Sequence, residues 1–350
     1  MPTDSGPRAL AESRPLLQLI DVAREFDVSR PWLDRLVERA PRQTVQAVDG
    51  VSFAMQRGET LSLVGESGCG KSTIARLIVG LYAPTRGQII FDGRPLKSLR
   101  SRADWAPLRR RLQMIFQDPY ASLNPRWRVA SLIAEPIRAH RLATGAAVTG
   151  RVAALLEQVG LAAADAAKYP HQFSGGQRQR ISIARALASE PDFLICDEPT
   201  AALDVSVQAQ ILNLLKDLQA GRGLTTLFIS HNLAVVRHLS DRIAVMYLGR
   251  IVELAPAETL LAAPRHPYTR LLLDAVPDIA RRDRQRIPIA GELPSPLAPP
   301  SGCAFHPRCP HANLRCQQER PLQLAVSEDR QVACHAVEEN RLPAWRVVGP

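Results

Sequence analysis

Leu61-Ser62-Leu63-Val64-Gly65-Glu66-Ser67-Gly68-Cys69-Gly70-Lys71-Ser72-Thr73 decides the fold. Thr60–Val64 is a short apolar run that reads as a strand. Gly65-x4-Gly70-Lys71-Ser72 follows directly, and a helix is expected from Ser72 to about Val79. Glycines let successive backbone N–H groups turn inward around phosphate oxygens, and the helix points its positive end at the same anion. Lys71 would reach the β- and γ-phosphates and Ser72 would bind Mg²⁺. Strand, glycine loop and helix together give a nucleotide-binding α/β fold. The loop alone does not separate kinases, GTPases, recombinases and transport ATPases.

Downstream, Phe193-Leu194-Ile195-Cys196-Asp197-Glu198 reads as a buried strand ending on two carboxylates. Asp197 would hold Mg²⁺, and Glu198 would act as general base on the attacking water. A strand followed by a solvated acidic turn is the plainer alternative, and the phosphate loop upstream argues against it. Other runs extend the pattern. Leu16–Ile20, Val45–Phe53, Gly87–Phe91 and Thr225–Ile229 read as strands. Ile243–Tyr247 and Arg250–Leu254 read as a hairpin turning at Leu248-Gly249. Residues 95–112 are Arg-rich and read as loop and helix, while 125–190 read as mostly helical, including Val129–Ala139 and Arg151–Val159. Ser206–Gln219 and Asn232–Leu239 read as further helices. Between Asp27 and Thr44 lies an insert in which Ser29 could cap a short helix carrying Trp32, Leu33, Leu36 and Val37 on one face.

The chain of 350 residues carries a net charge of +10, which suits nucleic acid, an anionic membrane face, or simply a solvated Arg-rich surface. No apolar run is long enough to span a bilayer, and Met1–Pro15 lacks a signal-peptide stretch, so a cytosolic protein linked to any membrane through partners is expected. From Pro264 onward the composition shifts to 13 prolines in 87 residues, which reads as a separate, loop-rich extension. It holds Cys303, Cys309, Cys316 and Cys334, spaced x5, x6 and x17, with no Cys-x-x-Cys pair. In a cytosolic protein such a cluster points to metal rather than disulfides. Four thiolates suit a [4Fe–4S] cluster, and the missing Cys-x-x-Cys argues against a zinc ribbon.

Phe173-Ser174-Gly175-Gly176-Gln177 precedes Phe193 closely and resembles the signature of the ABC ATPase family. The resemblance implies a RecA-like core with a β subdomain and an inserted helical subdomain at about 118–188. A disordered lead is expected over 1–15, the ATPase domain over 16–263, and the Pro/Cys-rich C-terminal extension over 264–350. It further implies that Ser174, Gly175, Gly176 and Gln177 contact the γ-phosphate of ATP bound by an opposing subunit. Gln117, in Phe116-Gln117-Asp118-Pro119, matches the glutamine loop that contacts Mg²⁺ and the attacking water. Asp204, in Ala201-Ala202-Leu203-Asp204, matches the D-loop, and His231 the switch histidine. Phe26 is the candidate for stacking on adenine. The ATP set is then Phe26, Gly65, Glu66, Ser67, Gly68, Cys69, Gly70, Lys71, Ser72 and Thr73; the Mg²⁺ set is Ser72, Gln117 and Asp197; the catalytic set is Glu198, His231 and Gln117.

Three further stretches resemble the ATPases of oligopeptide and dipeptide importers: Phe116–Arg126, His266–Pro277 and Pro299–Pro310. That resemblance implies ATP-driven peptide uptake from the cytoplasmic face of the inner membrane. The implied partners are a second, different ATPase subunit, two membrane permease subunits and a solute-binding protein. It also implies an iron–sulfur cluster at the four C-terminal cysteines, with zinc or free thiols as the alternatives. Nickel, glutathione and oligosaccharide importers use very similar ATPases. A soluble ABC ATPase acting on DNA or the ribosome is the rival class, and a clamp that binds ATP without hydrolysis is another. The single set of motifs argues against the first, and the intact Glu198 against the second.

Overall fold

The structure is a computed structural model that describes residues 14–29, 43–275, 292 and 294–343. The lead over 1–13 and the apolar face expected from Trp32, Leu33, Leu36 and Val37 lie outside the described residues. The chain begins with β1 (Leu17–Asp27), β2 (Thr44–Met55) and β3 (Thr60–Val64), then α1 (Lys71–Ile78), β4 (Arg86–Phe91), β5 (Arg94–Pro95), α2 (Arg102–Arg111) and β6 (Leu112–Ile115). Next come α3 (Val129–Ala139), α4 (Ala146–Gln158), α5 (Gly175–Leu187), β7 (Phe193–Asp197), α6 (Val205–Arg222) and β8 (Thr225–Ser230). The rest comprises β9 (Arg242–Tyr247), β10 (Arg250–Pro256), α7 (Pro267–Asp274), β11 (Leu324–Ser327) and β12 (Arg330–Val332), with shorter turns of helix between.

Two sheets result. The smaller is antiparallel, in the order β2-β1-β4-β5. The larger runs β11-β12-β10-β9-β3-β8-β7-β6, parallel from β9 to β6 and antiparallel beyond β9. A parallel sheet is covered on both faces, so its strands are apolar throughout rather than alternating. β3, β7 and β8 are buried at every position. In β7, Phe193 and Ile195 point into the core shared with β1 and α1. Leu194 and Cys196 point into the core shared with α3, α4 and α5. Both sheet and helical layer therefore meet at the tip of β7.

The hairpin expected at Leu248-Gly249 is present, with φ of +39° and +81° at the two turn residues. It does more than connect β9 to β10. Gly249 N–H donates to the Cys69 carbonyl at 2.9 Å, and its own carbonyl accepts from Asp49 N–H at 2.9 Å, so the turn braces the glycine loop. β6 was not separable in the sequence: four residues directly after the Arg-rich α2 give too short a pattern. The segment after Pro264, expected to be a separate extension, is continuous with the large sheet through the pairing of β12 with β10. Its Tyr268 and Phe305 are buried in the same core as the helical layer.

Candidate nucleotide site

The glycine loop closes on itself around Lys71. The Lys71 ammonium donates to the carbonyls of Gly65 at 2.8 Å and Glu66 at 2.9 Å, and lies 3.9 Å from a Glu198 carboxylate oxygen. The side chain is buried, so this cation sits at the floor of the loop, not on the surface. Gly70 adopts φ +106°, and a Cβ there would come within 2.2 Å of the Ala47 carbonyl oxygen. Only glycine fits a left-handed position pressed against backbone.

Ser72 Oγ donates to Asp197 Oδ1 at 2.9 Å, which joins the first turn of α1 to the tip of β7. Burial pushes the Asp197 carboxyl pKa up, against the hydrogen bond from Ser72, and the neighbouring Glu198 charge adds to the rise. A buried carboxylate beside a hydroxyl is a donor set that suits a hard divalent cation. Glu198 follows in the left-handed region at φ +47°, its N–H held by the Ile229 carbonyl at 3.0 Å. For a non-glycine residue that conformation is strained and persists only where the surroundings impose it. The turn aims the carboxylate into the cleft. There it meets Gln117 Nε2 at 3.4 Å and His231 Nδ1 at 3.2 Å. Gln117, Glu198 and His231, far apart in the chain, are thus brought together around one carboxylate.

A cleft of about 220 Å³ is lined by Ser67, Gly68, Gly70, Lys71, Ser72 and Thr73 of the loop, by Gln117 and Glu198, and by Val45, Gln46 and Ala47 of β2. Ser174, Gly175, Gly176 and Gln177 do not line it. They form the N-terminus of α5, where Ser174 Oγ accepts from Gln177 N–H at 3.3 Å and the Gln177 side chain accepts from Ser174 N–H at 3.0 Å. This reciprocal capping box leaves Ser174, Gly175 and Gln177 exposed. Asp204 caps α6 by accepting from Val207 N–H at 3.0 Å, a bond that holds its carboxyl below the usual range. Phe26 is not among the lining residues. Its ring meets Tyr82 edge-on at 5.2 Å, with the Arg24 guanidinium 4.7 Å from its centroid.

The C-terminal segment also reaches this cleft. Pro296, Pro299, Pro300, Gly302, Ala304 and Arg320 form part of its wall. Arg308 pairs with both carboxylate oxygens of Glu66, at 2.8 and 3.0 Å, and the Tyr268 hydroxyl accepts from Glu66 N–H at 3.0 Å. Sequence reasoning assigned neither residue a role. The only signal was their place in the His266–Pro277 and Pro299–Pro310 stretches.

Cys303, Cys309, Cys316 and Cys334 are free thiols in one neighbourhood: each of Cys303, Cys309 and Cys334 feels the charge of others in the set. Burial pushes Cys303 up to about 12 and Cys309 up to about 11. Backbone N–H groups of Phe305, His311, Ala336 and Val337 oppose the rise. Among the described residues no three His, Cys, Asp or Glu side chains are gathered closely enough to hold a metal ion.

Comparison with known proteins agrees with this layout. Residues 48–201 match the ABC transporter family, and residues 252–316 match the C-terminal region of oligopeptide/dipeptide transporters. The chain is 48% identical over 328 residues to the oligopeptide transport ATP-binding protein AppF of Bacillus subtilis, covering 93% of this chain and 98% of that one. It is 47% identical over 336 residues to OppF of Salmonella typhimurium, an oligopeptide transport ATP-binding protein, covering 94% and 98%. Among solved structures, the ATP-binding cassette MJ0796 in its dimeric, ADP- and Pi-bound state superposes with a TM-score of 0.60 at 28% identity, over 69% of this chain and 98% of that one. No described helix is long and apolar enough to cross a membrane. The chain belongs to the ATP-binding subunits of the oligopeptide/dipeptide ABC importer family, and it is an ATPase whose hydrolysis is coupled to transport.

Proposed function

We propose that this subunit drives peptide uptake by holding one half of a shared ATP site. The observation that carries the reading is the division of the motifs. Lys71, Ser72, Gln117 and Glu198 line one cleft, with Asp197 hydrogen-bonded to Ser72, while Ser174, Gly175 and Gln177 are exposed and line no part of it. Residues Gly65 to Thr73 hold the phosphates, Lys71 neutralising the β and γ groups. Phe26, beside the start of β2, covers the adenine side. Ser72, Asp197 and Gln117 hold Mg²⁺, which neutralises charge on the β- and γ-oxygens when bound. Glu198 takes the proton of the attacking water, with Gln117 and His231 fixing its orientation. Ser174 to Gln177 and Asp204 complete the site of an opposing ATPase subunit, a second and different chain. The assembly includes two permeases and a solute-binding protein, with this subunit peripheral on the cytoplasmic face of the inner membrane. Peptide cargo follows from the match to the transporter C-terminal region and from the printed functions of AppF and OppF.

Uptake of a labelled di- or tripeptide into vesicles carrying the assembled transporter is expected to require ATP and to stop with Lys71→Ala. ATP-driven uptake of nickel, glutathione or an oligosaccharide in place of peptide would overturn the cargo. For the tail, the proximity of the four thiols and their backbone N–H donors support a [4Fe–4S] cluster, for which the sulfurs must draw together. Anaerobically purified protein is then expected to show visible absorption with iron and sulfide. A colourless, zinc-containing sample would assign zinc instead.

A further inference from the structure

We infer that Arg308 is a positioning residue of the ATP site, through which the cysteine-bearing segment sets the shape of the phosphate loop. The inference rests on the phosphate-loop reading above. Glu66 is the second residue of that loop, and all three of its polar parts are engaged. Its carbonyl accepts from Lys71 Nζ at 2.9 Å, its N–H donates to Tyr268 at 3.0 Å, and its carboxylate is bridged by Arg308 at 2.8 and 3.0 Å. Two parallel charge-assisted bonds fix direction as well as distance. Arg308 is 5% exposed and Glu66 23%, so the pair is largely shielded from solvent.

Arg308 is itself held rigidly. It ends a tight turn in which His306 N–H donates to the Cys303 carbonyl at 2.9 Å, Arg308 N–H to Phe305 at 3.0 Å and Cys309 N–H to His306 at 3.2 Å. The Phe305 ring in that turn packs on Tyr247 at 5.2 Å and on Tyr268 at 5.4 Å. The guanidinium also donates to the Tyr247 hydroxyl at 3.3 Å. Two of the four cysteines, Cys303 and Cys309, bracket this turn. A shift of the turn is therefore a shift of Glu66 and of the carbonyl that receives Lys71.

The contact is not what fastens the tail. That role belongs to the β10–β12 pairing and to the buried Arg330–Glu253 pair on the other side of the segment. Loss of Arg308 instead leaves an uncompensated carboxylate in the loop that receives an anionic substrate. The penalty falls on ATP binding through loop geometry and through repulsion, and removing the Glu66 charge relieves the second part.

The test uses the assembled transporter with Arg308→Gln, Arg308→Lys, Glu66→Gln and the double variant Arg308→Gln/Glu66→Gln, with thermal melting of each. Arg308→Gln is expected to raise the KM for ATP about tenfold, roughly 1.4 kcal/mol, with kcat within about twofold of the parent. Arg308→Lys, which keeps the charge but not the fork, is expected to fall between. Adding Glu66→Gln to Arg308→Gln is expected to lower KM again. An unchanged KM in Arg308→Gln, or a loss of kcat and melting temperature that Glu66→Gln does not relieve, overturns the inference. Lys71→Ala separates the two readings. If it binds ATP normally the phosphate-loop reading itself fails; if it does not bind while Arg308→Gln matches the parent, only the role of Arg308 fails.

Discussion

Ser72 Oγ and Asp197 Oδ1, 125 residues apart in sequence, meet at 2.9 Å and tie the first turn of α1 to the end of β7. The contact aligns the two groups proposed to hold Mg²⁺, at a cost. Asp197 is 3% exposed, and burial raises its pKa because the charged form is poorly solvated. A carboxyl with a raised pKa in the fold penalises stability once it ionises. The penalty is absent below the ordinary carboxylate pKa, grows as pH rises past it and is complete above the folded pKa. Asp197→Asn is expected to stabilise the nucleotide-free subunit by about 1 kcal/mol at neutral pH, with the gain vanishing as pH falls. The same variant is expected to lose Mg²⁺-dependent hydrolysis. Thermal melts across pH check the first part, and equal stability at neutral pH would refute it.

Glu198 is held in a strained backbone conformation with Gln117, His231 and Lys71 about its carboxylate. Glu198→Gln preserves the shape and removes the proposed base. Its kcat is expected to fall at least about 100-fold while ATP still binds and the ATPase pair remains closed. Near-normal turnover measured by phosphate release would remove Glu198 from the role of base.

A Cβ at Gly176 would stand 2.4 Å from Val207 Cγ1, so the signature helix α5 and the helix α6 behind Asp204 touch through a bare backbone. Gly176→Ala is expected to push the two helices apart and to lower ATPase activity by about 10- to 100-fold, since the signature turn is proposed to reach ATP held by an opposing subunit. ATP affinity of the isolated subunit is expected to stay unchanged, because the cleft has no contribution from α5. Adding Val207→Ala makes room and is expected to restore activity. A double variant as inactive as Gly176→Ala alone would show that the spacing is not the cause.

The nucleotide cleft was legible because its parts are local. The strand, glycine turn and helix around residue 65 and the apolar run ending on Asp197 each declare themselves within about ten residues. The placement of Gln117 and His231 beside Glu198 came from resemblance, since neither has a local pattern; the sheet order β8-β7-β6 is what brings their loops together. Proline content marks the tail as loop-rich, but it reports the absence of regular structure, not the absence of packing. Arg308 and Tyr268 touch Glu66 across 242 and 202 residues, and no spacing rule spans such distances.

Glu253 is the point at which the tail is locked to the sheet. It is fully buried in β10 and pairs with Arg330 of β12, which is 5% exposed. Its two oxygens also accept from Arg265 N–H and His266 N–H, both at 2.9 Å. That fixes the start of α7, where His266, held neutral by burial with its pKa pushed down to about 3, accepts from Tyr268 N–H. One carboxylate therefore sets the position of Tyr268 and, through it, of Glu66. Glu253→Gln leaves Arg330 buried without a counter-charge, and such losses cost about 3–5 kcal/mol. The melting temperature is expected to fall, and limited proteolysis is expected to release the segment after Pro264 before the ATPase core is cut. Arg330→Met in the same background removes the stranded charge and is expected to recover most of the stability without restoring the Glu253-fixed start of α7. If Glu253→Gln melts and resists protease like the parent, the buried pair is not what secures the tail.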